Sequence, residues 1–328
     1  MNFPLRPLGR TGLSVTELGF GTAPLGNLFR PLPDAVARET LAAAEKAGFG
    51  YYDTAPFYGF GLSERRLGDA LRARKDVVLS TKVGRLLQPV AGPVDECTAR
   101  HGYATPMPFE PVFDYSYDAM MRSYEASLHR LGLGRIDILY IHDIGTLTHG
   151  DANVARMAEL TKGGGLRALQ ELRAAKQIAG FGMGVNEVAA CLEVMDHARL
   201  DVILLAGRYT LLEQTPLDDL FPRCVAAGTA IVVGGPYNSG ILAVGTRTGA
   251  QLYYNYEPAG RCDRKSAPDR SGMRTPCRAA GGGGAAISSG APAGRQRHTG
   301  PGFTGAGGAN RGAISPQNPG GAVAGSAE

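Results

Sequence analysis

The sequence lacks the cysteine spacing of metal and disulfide sites. No two of its five cysteines are separated by only two residues: Cys97, Cys191, Cys224, Cys262 and Cys277. This excludes the CxxC pairs of zinc sites and the framework of a small disulfide-rich domain, so we expect no metal. There is also no run of 18 apolar residues and no secretory signal peptide. We therefore expect a cytoplasmic protein with no membrane partner.

An excess of basic charge is missing from the first 260 residues. The whole chain has a net charge of +4, but the residues after Gly260 carry nine Lys or Arg and three acidic residues. The first 260 residues are therefore net −2. That balance gives no reason to propose a nucleic-acid partner for them. An Arg/Gly-rich tail that binds RNA weakly is the subordinate alternative.

The last seventy residues lack the side chains that build a core. From Gly260 onward about a quarter of the residues are Gly, and there is no Leu or Tyr. Such a segment buries too little apolar surface to offset the entropy of folding. We therefore expect a folded domain over residues 1–258 and a disordered, low-complexity tail over residues 259–328.

Short apolar runs alternate with helical patterns in the folded part. A first run, 5–15, has a Gly-bearing turn and is typical of a hairpin. Seven β-type runs follow, at 16–22, 49–55, 76–84, 136–143, 180–186, 201–209 and 230–237. Helical patterns lie between them, such as 34–48, 63–73, 117–132, 166–178 and 217–228. Because the β runs are almost entirely apolar, they suit a parallel sheet buried on both faces.

This alternation predicts an α/β fold, either a (β/α)₈ barrel or a doubly wound sheet. A (β/α)₈ barrel closes with eight strands in about 250 residues. Only seven β runs precede Pro258. The pattern therefore indicates an incomplete barrel that lacks its eighth strand and its last two helices.

Four polar residues stand where a barrel places its active site, at or just after the carboxyl ends of strands. They are Asp53, Tyr58, Lys82 and His142. Taken singly, each has a structural alternative: a packed loop tyrosine, a snorkelling lysine or a core histidine. Lys82 is the least easily explained in that way, since a buried ammonium needs a partner.

Together the four residues can transfer a proton. The phenol of a tyrosine has a pKa near 10 and needs a neighbouring cation to favour the phenolate. Lys82 supplies that cation, Asp53 holds Lys82, and His142 orients the reacting oxygen by hydrogen bonding. We therefore expect Tyr58 to be the general acid/base.

The sequence resembles the aldo/keto reductase superfamily. The matching motifs are LGRTGLSVTELGFGTAPLG, GYYDTAPFYGFGLSERRLG, STKVGR, SLHRLGLGRIDILYIHD and RYTLLEQTPLDDLF, which lie between Leu5 and Pro258. Within it, FDYSYDAMMRSYEASLHRLGL and GMGVNE resemble the D-threo-aldose 1-dehydrogenase group, with pyridoxal dehydrogenases as the nearby alternative. The resemblance implies a (β/α)₈ barrel that oxidises an aldose of the L-fucose or D-arabinose type at C1 to a lactone, with NAD or NADP.

The resemblance also implies contacts to the nicotinamide cofactor. They fall on Gly21, Thr22, Asn186, Tyr209 (as the ring stacked on nicotinamide), Pro236 and Gly240. The structural alternatives are turn geometry for the glycines and a core aromatic for Tyr209. Two departures bear on these contacts. Ala206-Gly207 replaces a Gln-Asn pair that many relatives have before the tyrosine, and Val185-Asn186 or Asn186-Glu187 replaces a Ser-Asn pair.

Our hypothesis for the missing eighth strand is a change of reading frame near Ala259. Read one nucleotide later, Gly281–Pro292 permits an Ala-rich helix end followed by a turn. Arg295–Pro301 then permits Ala-Ser-Val-Ile-Pro-Gly, a buried strand leading into a loop. These segments resemble the family's last helix and eighth strand, in the same order.

The sequence leaves several questions open. They are the choice between NAD and NADP, the identity of the sugar, the oligomeric state, and whether this chain folds and is active. A non-catalytic barrel that binds a nicotinamide cofactor also stays open as an alternative.

Overall fold

The computed structural model describes residues 3–92, 99–245, 252–253 and 257–258. Its strands, in chain order, are β1 (Leu5–Pro7), β2 (Ser14–Thr16), β3 (Phe20–Gly21), β4 (Tyr51–Asp53), β5 (Val78–Val83), β6 (Arg85–Pro89), β7 (Phe109–Phe113), β8 (Ile138–His142), β9 (Gly180–Val185), β10 (Val202–Ala206), β11 (Ala230–Gly234), β12 (Leu252–Tyr253) and β13 (Glu257–Pro258). Its α-helices are α1 (Asp34–Ala47), α2 (Leu62–Leu71), α3 (Tyr117–Leu131), α4 (Thr146–His149), α5 (Asn153–Thr161), α6 (Gly165–Ala174), α7 (Val188–His197), α8 (Leu220–Ala227) and α9 (Ile241–Val244). Short 3-10 helices lie at Ala23–Gly26, Gly150–Ala152 and Thr215–Leu217.

Seven strands form one curled parallel sheet. Their spatial order, β3-β4-β5-β8-β9-β10-β11, follows the chain, as in a (β/α)₈ barrel. Among the described residues, no strand pairs with the outer edges of β3 and β11. The predicted α/β fold is confirmed, in the form of an incomplete barrel of seven strands with helices between them.

The strands bury different residues on their two faces. The inner face carries a cluster that includes Tyr51, Val78, Tyr140 and Val232, and the β1–β2 hairpin closes its lower end with Leu8. The outer face carries the larger cluster, in which strand residues pack against the helices. Because side chains alternate along a strand, residues two positions after an inward residue also face inward. The barrel interior therefore leads directly to the polar residues at the strand ends.

The predicted β runs all contain a strand of the sheet, but the first one is divided. Thr16 belongs to the hairpin strand β2, which pairs with β1, and only Phe20–Gly21 joins the sheet as β3. The quoted helical segments correspond to α1, α2, α3, α6 and α8. The quoted segments did not include the antiparallel pairs β6–β7 and β12–β13 or the helices α4, α5, α7 and α9.

The predicted tail over residues 259–328, with its change of frame, lies outside the described residues, as do Cys97, Cys262 and Cys277. Its disorder and the domain boundary at residue 258 therefore stay predictions. No helix in the described part of the chain is long and apolar enough to cross a membrane.

The loop that carries Tyr58 packs backbone against backbone on the 3-10 helix at Ala23–Gly26. Gly59 has a φ of +64°, and a Cβ built on it would lie 2.3 Å from the carbonyl oxygen of Gly26. A Cβ on Gly26 would lie 2.4 Å from the carbonyl carbon of Tyr58. The two backbones can lie this close only because both residues are glycines and have no Cβ. The contact fixes the position of the Tyr58 loop relative to the sheet.

We expect Gly59→Ala to destabilise the fold and to displace Tyr58. The left-handed backbone alone costs an alanine about 1–2 kcal/mol, and the overlap with Gly26 adds to that cost. Gly132→Ala is the matched control, since Gly132 has a φ of +62° with nothing within 4 Å of its Cβ position. Urea unfolding should show a larger loss for Gly59→Ala. Equal losses in the two variants would contradict the proposed close approach.

We also expect the open sheet edges to make the chain aggregate. Unpaired edge strands recruit other chains, and an unclosed barrel leaves apolar faces uncovered. A chain with the frame restored after Ala259 should therefore be monodisperse and melt cooperatively, whereas the present chain should aggregate on heating. Light scattering and calorimetry measure both properties. Identical behaviour of the two chains would contradict the prediction, and resequencing the gene across this codon tests the change of frame itself.

Candidate active site

The four predicted catalytic residues lie together at the carboxyl ends of neighbouring strands. Lys82 Nζ lies 2.6 Å from Asp53 Oδ2 and 4.6 Å from the centre of the Tyr58 ring. The rings of Tyr58 and His142 stand nearly perpendicular, with their centroids 6.1 Å apart. The structure thus brings a carboxylate, an ammonium, a phenol and an imidazole into one cluster. Their roles in proton transfer stay predictions.

Lys82 is buried, and its ammonium is held by two oxygens. Its side chain is only 2% exposed, and besides the Asp53 contact it donates to the carbonyl oxygen of Thr54 at 2.9 Å. Gly184 leaves room for the lysine stem, because a Cβ there would lie 3.4 Å from Lys82 Cε. A charge removed from water in this way is stable only when it is paired. Lys82 is therefore no snorkelling surface lysine.

Asp53 is held from below by a line of hydroxyl groups. Ser80 Oγ donates to Asp53 Oδ1 at 2.7 Å and lies 3.0 Å from Tyr51 Oη, which in turn lies 2.9 Å from Tyr140 Oη. Burial raises the pKa of Asp53, while the positive charge of Lys82 lowers it. Burial also raises the pKa of Tyr51 and Tyr140, so both phenols are neutral hydrogen-bonding groups.

Sequence reasoning missed these hydroxyl residues, although a signal for them exists. Tyr51, Ser80 and Tyr140 each stand two positions before a predicted catalytic residue. The period of two along a strand therefore places them on the same inward face. Their mutual contacts depend on the register, which pairs Asp53 with Ser80 and Lys82 with Tyr140.

His142 is buried at the end of β8. Its Nε2 lies 3.5 Å from Asp143 Oδ2, and its Nδ1 has no hydrogen-bond partner among the described residues. Tyr115 Oη donates to the backbone carbonyl of His142 at 2.7 Å. Burial lowers the pKa of His142 well below its ordinary value, and the charges of Arg85 and Lys82 lower it further. The ring is therefore neutral at physiological pH.

A buried arginine, also missed by sequence reasoning, adjoins this histidine. Arg85 Nη2 donates to Asp143 Oδ2, and its guanidinium carbon lies 3.9 Å from the centre of the Phe57 ring. Burial raises the pKa of Asp143, whereas Arg85 lowers it. The only sequence signal is an arginine directly after the apolar strand that carries Lys82.

The predicted cofactor contacts at the first strand have structural partners. Gly21 pairs with Asp53 in the sheet. Thr22 is fully buried, and its hydroxyl donates to the Asp53 carbonyl at 2.8 Å and accepts from Ser63 Oγ at 2.8 Å. The Thr22 side chain therefore connects β3, β4 and α2. Contact of either residue with a cofactor stays a prediction.

The predicted contacts near β9 and β10 lie at the same end of the sheet. The Asn186 carbonyl accepts from Arg208 Nε, and the Tyr209 ring packs edge-on against Phe221 at 4.8 Å. The aromatic contact leaves the core alternative open for Tyr209. Glu187 accepts hydrogen bonds from the backbone N–H groups of Thr146 and Leu147, and so caps α4.

The loop after β11 holds the last two predicted cofactor residues. Pro236 is partly buried, and Gly240 has a φ of +91° with nothing within 4 Å of its Cβ position. Between them, the side-chain oxygen of Asn238 is buried with no partner among the described residues. This loop therefore offers an open backbone and an unsatisfied polar atom at the carboxyl end of the sheet.

The described residues contain no group of three metal-ligating side chains. Cys191 and Cys224 are both free and buried. Burial raises the pKa of both thiols, that of Cys224 to about 12. Both are therefore neutral core residues.

Comparison with known proteins identifies the family. The sequence model described as the aldo/keto reductase family matches residues 17–261. The chain is 47% identical over 260 residues to pyridoxal 4-dehydrogenase from Microbacterium luteolum, covering 76% of this chain and 74% of that protein. It is 39% identical over 235 residues to D-threo-aldose 1-dehydrogenase from a Pseudomonas species, covering 71% and 69%.

A solved structure supports the same conclusion. The holo form of an aldo-keto reductase from Bacillus halodurans superimposes with a TM-score of 0.57 at 27% identity, covering 74% of this chain and 70% of that one. The sequence match spans all seven strands of the sheet and all four clustered residues. This chain therefore belongs to the aldo/keto reductase family.

Proposed function

We propose that this protein oxidises an aldose of the L-fucose or D-arabinose type at C1 to a lactone, using NAD or NADP. The observation that carries the proposal is the buried ammonium of Lys82, held between Asp53 and the ring of Tyr58. A cation in that place favours the phenolate of Tyr58, which is the form that can accept a proton. The likeness to D-threo-aldose 1-dehydrogenase supports the choice of substrate.

The residues present fit a nicotinamide dinucleotide. Asn238 Oδ1, in the loop between Pro236 and Gly240, is a buried acceptor with no partner among the described residues, so it can accept a hydrogen bond from a hydroxyl or amide group of such a cofactor. Gly235 and Gly240 have positive φ values, so the backbone of this loop can approach a phosphate closely. We propose that the backbone of this loop binds the phosphates of the cofactor and that Tyr209 and Asn186 contact the nicotinamide end of the cofactor. When bound, the cofactor supplies the hydride acceptor.

The chain's own residues then handle the proton. Lys82 stabilises the phenolate of Tyr58, whose Oη takes the proton of the C1 hydroxyl and so becomes a neutral phenol. Asp53 keeps Lys82 in place, since an ammonium that is 2% exposed needs a paired carboxylate. His142, which is neutral, donates a hydrogen bond to the oxygen on the reacting carbon. In the reverse direction Tyr58 returns the proton to a carbonyl.

Pyridoxal is the second candidate substrate, favoured by the 47% identity to pyridoxal 4-dehydrogenase. The two candidates share their chemistry. Pyridoxal carries a hydroxymethyl group beside its aldehyde and can close to a cyclic hemiacetal, as an aldose does at C1. Oxidation of either ring gives a lactone, with the same proton transfer to Tyr58. The same residues thus serve both substrates.

We expect reduction of NAD⁺ or NADP⁺, followed at 340 nm, with L-fucose, D-arabinose or pyridoxal, in this chain and in the frame-restored chain. Tyr58→Phe should lower kcat/KM by about 10²–10⁴-fold, because it removes the general base. Tyr117→Phe is the matched control, since the hydroxyl of this partly buried tyrosine donates to Glu171 Oε2, and its ring contacts the Arg167 guanidinium and the edge of the core rather than the clustered residues. Cofactor binding without turnover of any substrate would favour a non-catalytic barrel. No binding by this chain alone would indicate an inactive out-of-frame product.

We expect His142 to weaken the fold in acid. Its pKa is lowered in the folded protein, so the unfolded chain binds a proton near pH 6.5 that the folded chain does not. Stability should therefore fall by about 1.4 kcal/mol per pH unit as pH drops below about 6.5. Urea titrations of His142→Gln should show a smaller loss, part of the remainder coming from His149, whose pKa burial also lowers. His197→Gln, at an exposed position of α7, should keep the full loss. A wild-type slope retained in His142→Gln would contradict the assignment.

A further inference from the structure

Arg85 has no role in the proton transfer described above, yet it is built rigidly into the site. Its side chain is 7% exposed, and its guanidinium carbon lies 3.9 Å from the Phe57 ring centre and 4.7 Å from that of Phe113. Phe57 precedes Tyr58 in the loop, and its ring centroid lies 6.0 Å from that of His142. Stacking on two aromatic rings fixes a planar guanidinium, which a lysine ammonium could not reproduce.

The partner of Arg85 is the residue directly after the predicted catalytic histidine. Asp143 has a φ of +46°, and its N–H donates to the Gly184 carbonyl at 3.0 Å. This left-handed turn brings its carboxylate back over the end of β8. The same oxygen, Oδ2, accepts from Arg85 Nη2 and lies 3.5 Å from His142 Nε2. Arginine and histidine therefore face one carboxylate oxygen.

The two donors are not held equally. N–H···O hydrogen bonds in proteins measure 2.7–3.2 Å, so a 3.5 Å separation leaves the His142 nitrogen outside that range. We propose that Arg85 is a positioning residue: by holding the carboxylate of Asp143, it leaves the Nε2 hydrogen of His142 free to bond the oxygen on the reacting carbon. This role rests on the proposed function, in which His142 is that donor.

The charges around His142 show what the loss of Arg85 would do. The titratable groups nearest to the His142 ring are Lys82, Tyr58, Arg85 and Asp143. Two others act less directly: Asp53 pairs with Lys82, and Tyr115 donates to the backbone carbonyl of His142 and also contacts His149. Lys82 is already paired with Asp53. Without Arg85, the carboxylate of Asp143 would face the ring alone and favour an imidazolium. The hydrogen of Nε2 would then bond Asp143 instead of the substrate.

The test compares Arg85→Met, Asp143→Asn and the double variant in the full chain. The His142 ring is followed by ¹⁵N NMR from pH 5 to 8, with His142→Gln used to assign its signals. Wild type should stay neutral through this range, Arg85→Met should gain a proton as pH falls, and the double variant should stay neutral. Loss of an oriented donor should lower kcat of Arg85→Met by about 10²-fold, with a smaller change in KM. The double variant should recover most of that loss.

Arg100→Met is the matched control. Arg100 also stacks on an aromatic ring, Phe60 at 4.8 Å, and pairs with Glu110, and its other side-chain hydrogen bonds go to the backbone carbonyls of Met107 and Phe109 rather than to His142. It should leave the His142 titration and the ratio of kcat to KM unchanged. Arg85→Lys, which keeps the charge but loses the planar stack, should keep His142 neutral.

Two results would overturn the proposal: an unchanged His142 titration in Arg85→Met, or a double variant as impaired as the single one. If Arg85→Met fails to fold, Asp143→Asn and the double variant decide, because neutral replacement of both partners of a buried pair is tolerated. Protonation of His142 between pH 5 and 8 in either would then overturn it. If no substrate is oxidised, the proposed function fails, while the NMR titration still reads the effect of Arg85 on His142.

Discussion

Lys82 needs a partner because its ammonium is almost entirely removed from water, and the arrangement of the site follows from that need. Asp53, at the end of the neighbouring strand β4, provides the charge, and Thr54, the next residue, provides a carbonyl oxygen. Removing one member of such a buried pair costs about 3–5 kcal/mol, since the other charge is left uncompensated. The pair can form only if the two residues share the inward face of the sheet. The strand register that allows this pair to form is therefore the same register that assembles the proposed proton-transfer site.

The floor beneath the pair explains its rigidity. Ser80 and Tyr51 connect Asp53 to the barrel interior, and the β1–β2 hairpin closes that interior with apolar side chains such as Leu8. The Ser80 hydroxyl donates a hydrogen bond to the Asp53 carboxylate, and aromatic and aliphatic side chains fill the remaining interior of the barrel. The reacting groups thus stand on a packed core. The Tyr58 loop is fixed separately by the contact of Gly59 with Gly26.

The open edges of the sheet affect the two halves of the site differently. Asp53, Lys82 and His142 come from β4, β5 and β8, which all have a strand on each side. The predicted cofactor contacts lie on or after β3, β9, β10 and β11, and β3 and β11 are the two edges of the sheet in the described part of the chain. In a closed barrel these edges meet an eighth strand. Closure of the sheet therefore bears more on cofactor binding than on the proton-transfer cluster.

Local patterns were enough to predict the seven strands of the parallel sheet, the main helices and the four clustered residues. Apolar runs mark buried parallel strands, and polar residues at the ends of such runs have few structural reasons to be there. The family resemblance then assigned these residues an expected chemistry. These predictions did not require any knowledge of which side chains are in contact.

Other features could not be read from the chain because their partners are distant in sequence. Arg85 and Asp143 are 58 residues apart, and Tyr51 and Tyr140 are 89 apart. The hydroxyl of Thr22 is occupied by Asp53 and Ser63, and the carboxylate of Glu187 caps α4. Composition and spacing carry no information on such pairs, since the register and the loop geometry create them. The sequence alone was thus enough to predict which residue types lie at the site. Only the folded sheet determined their hydrogen-bond partners, and with those partners the charge state of His142.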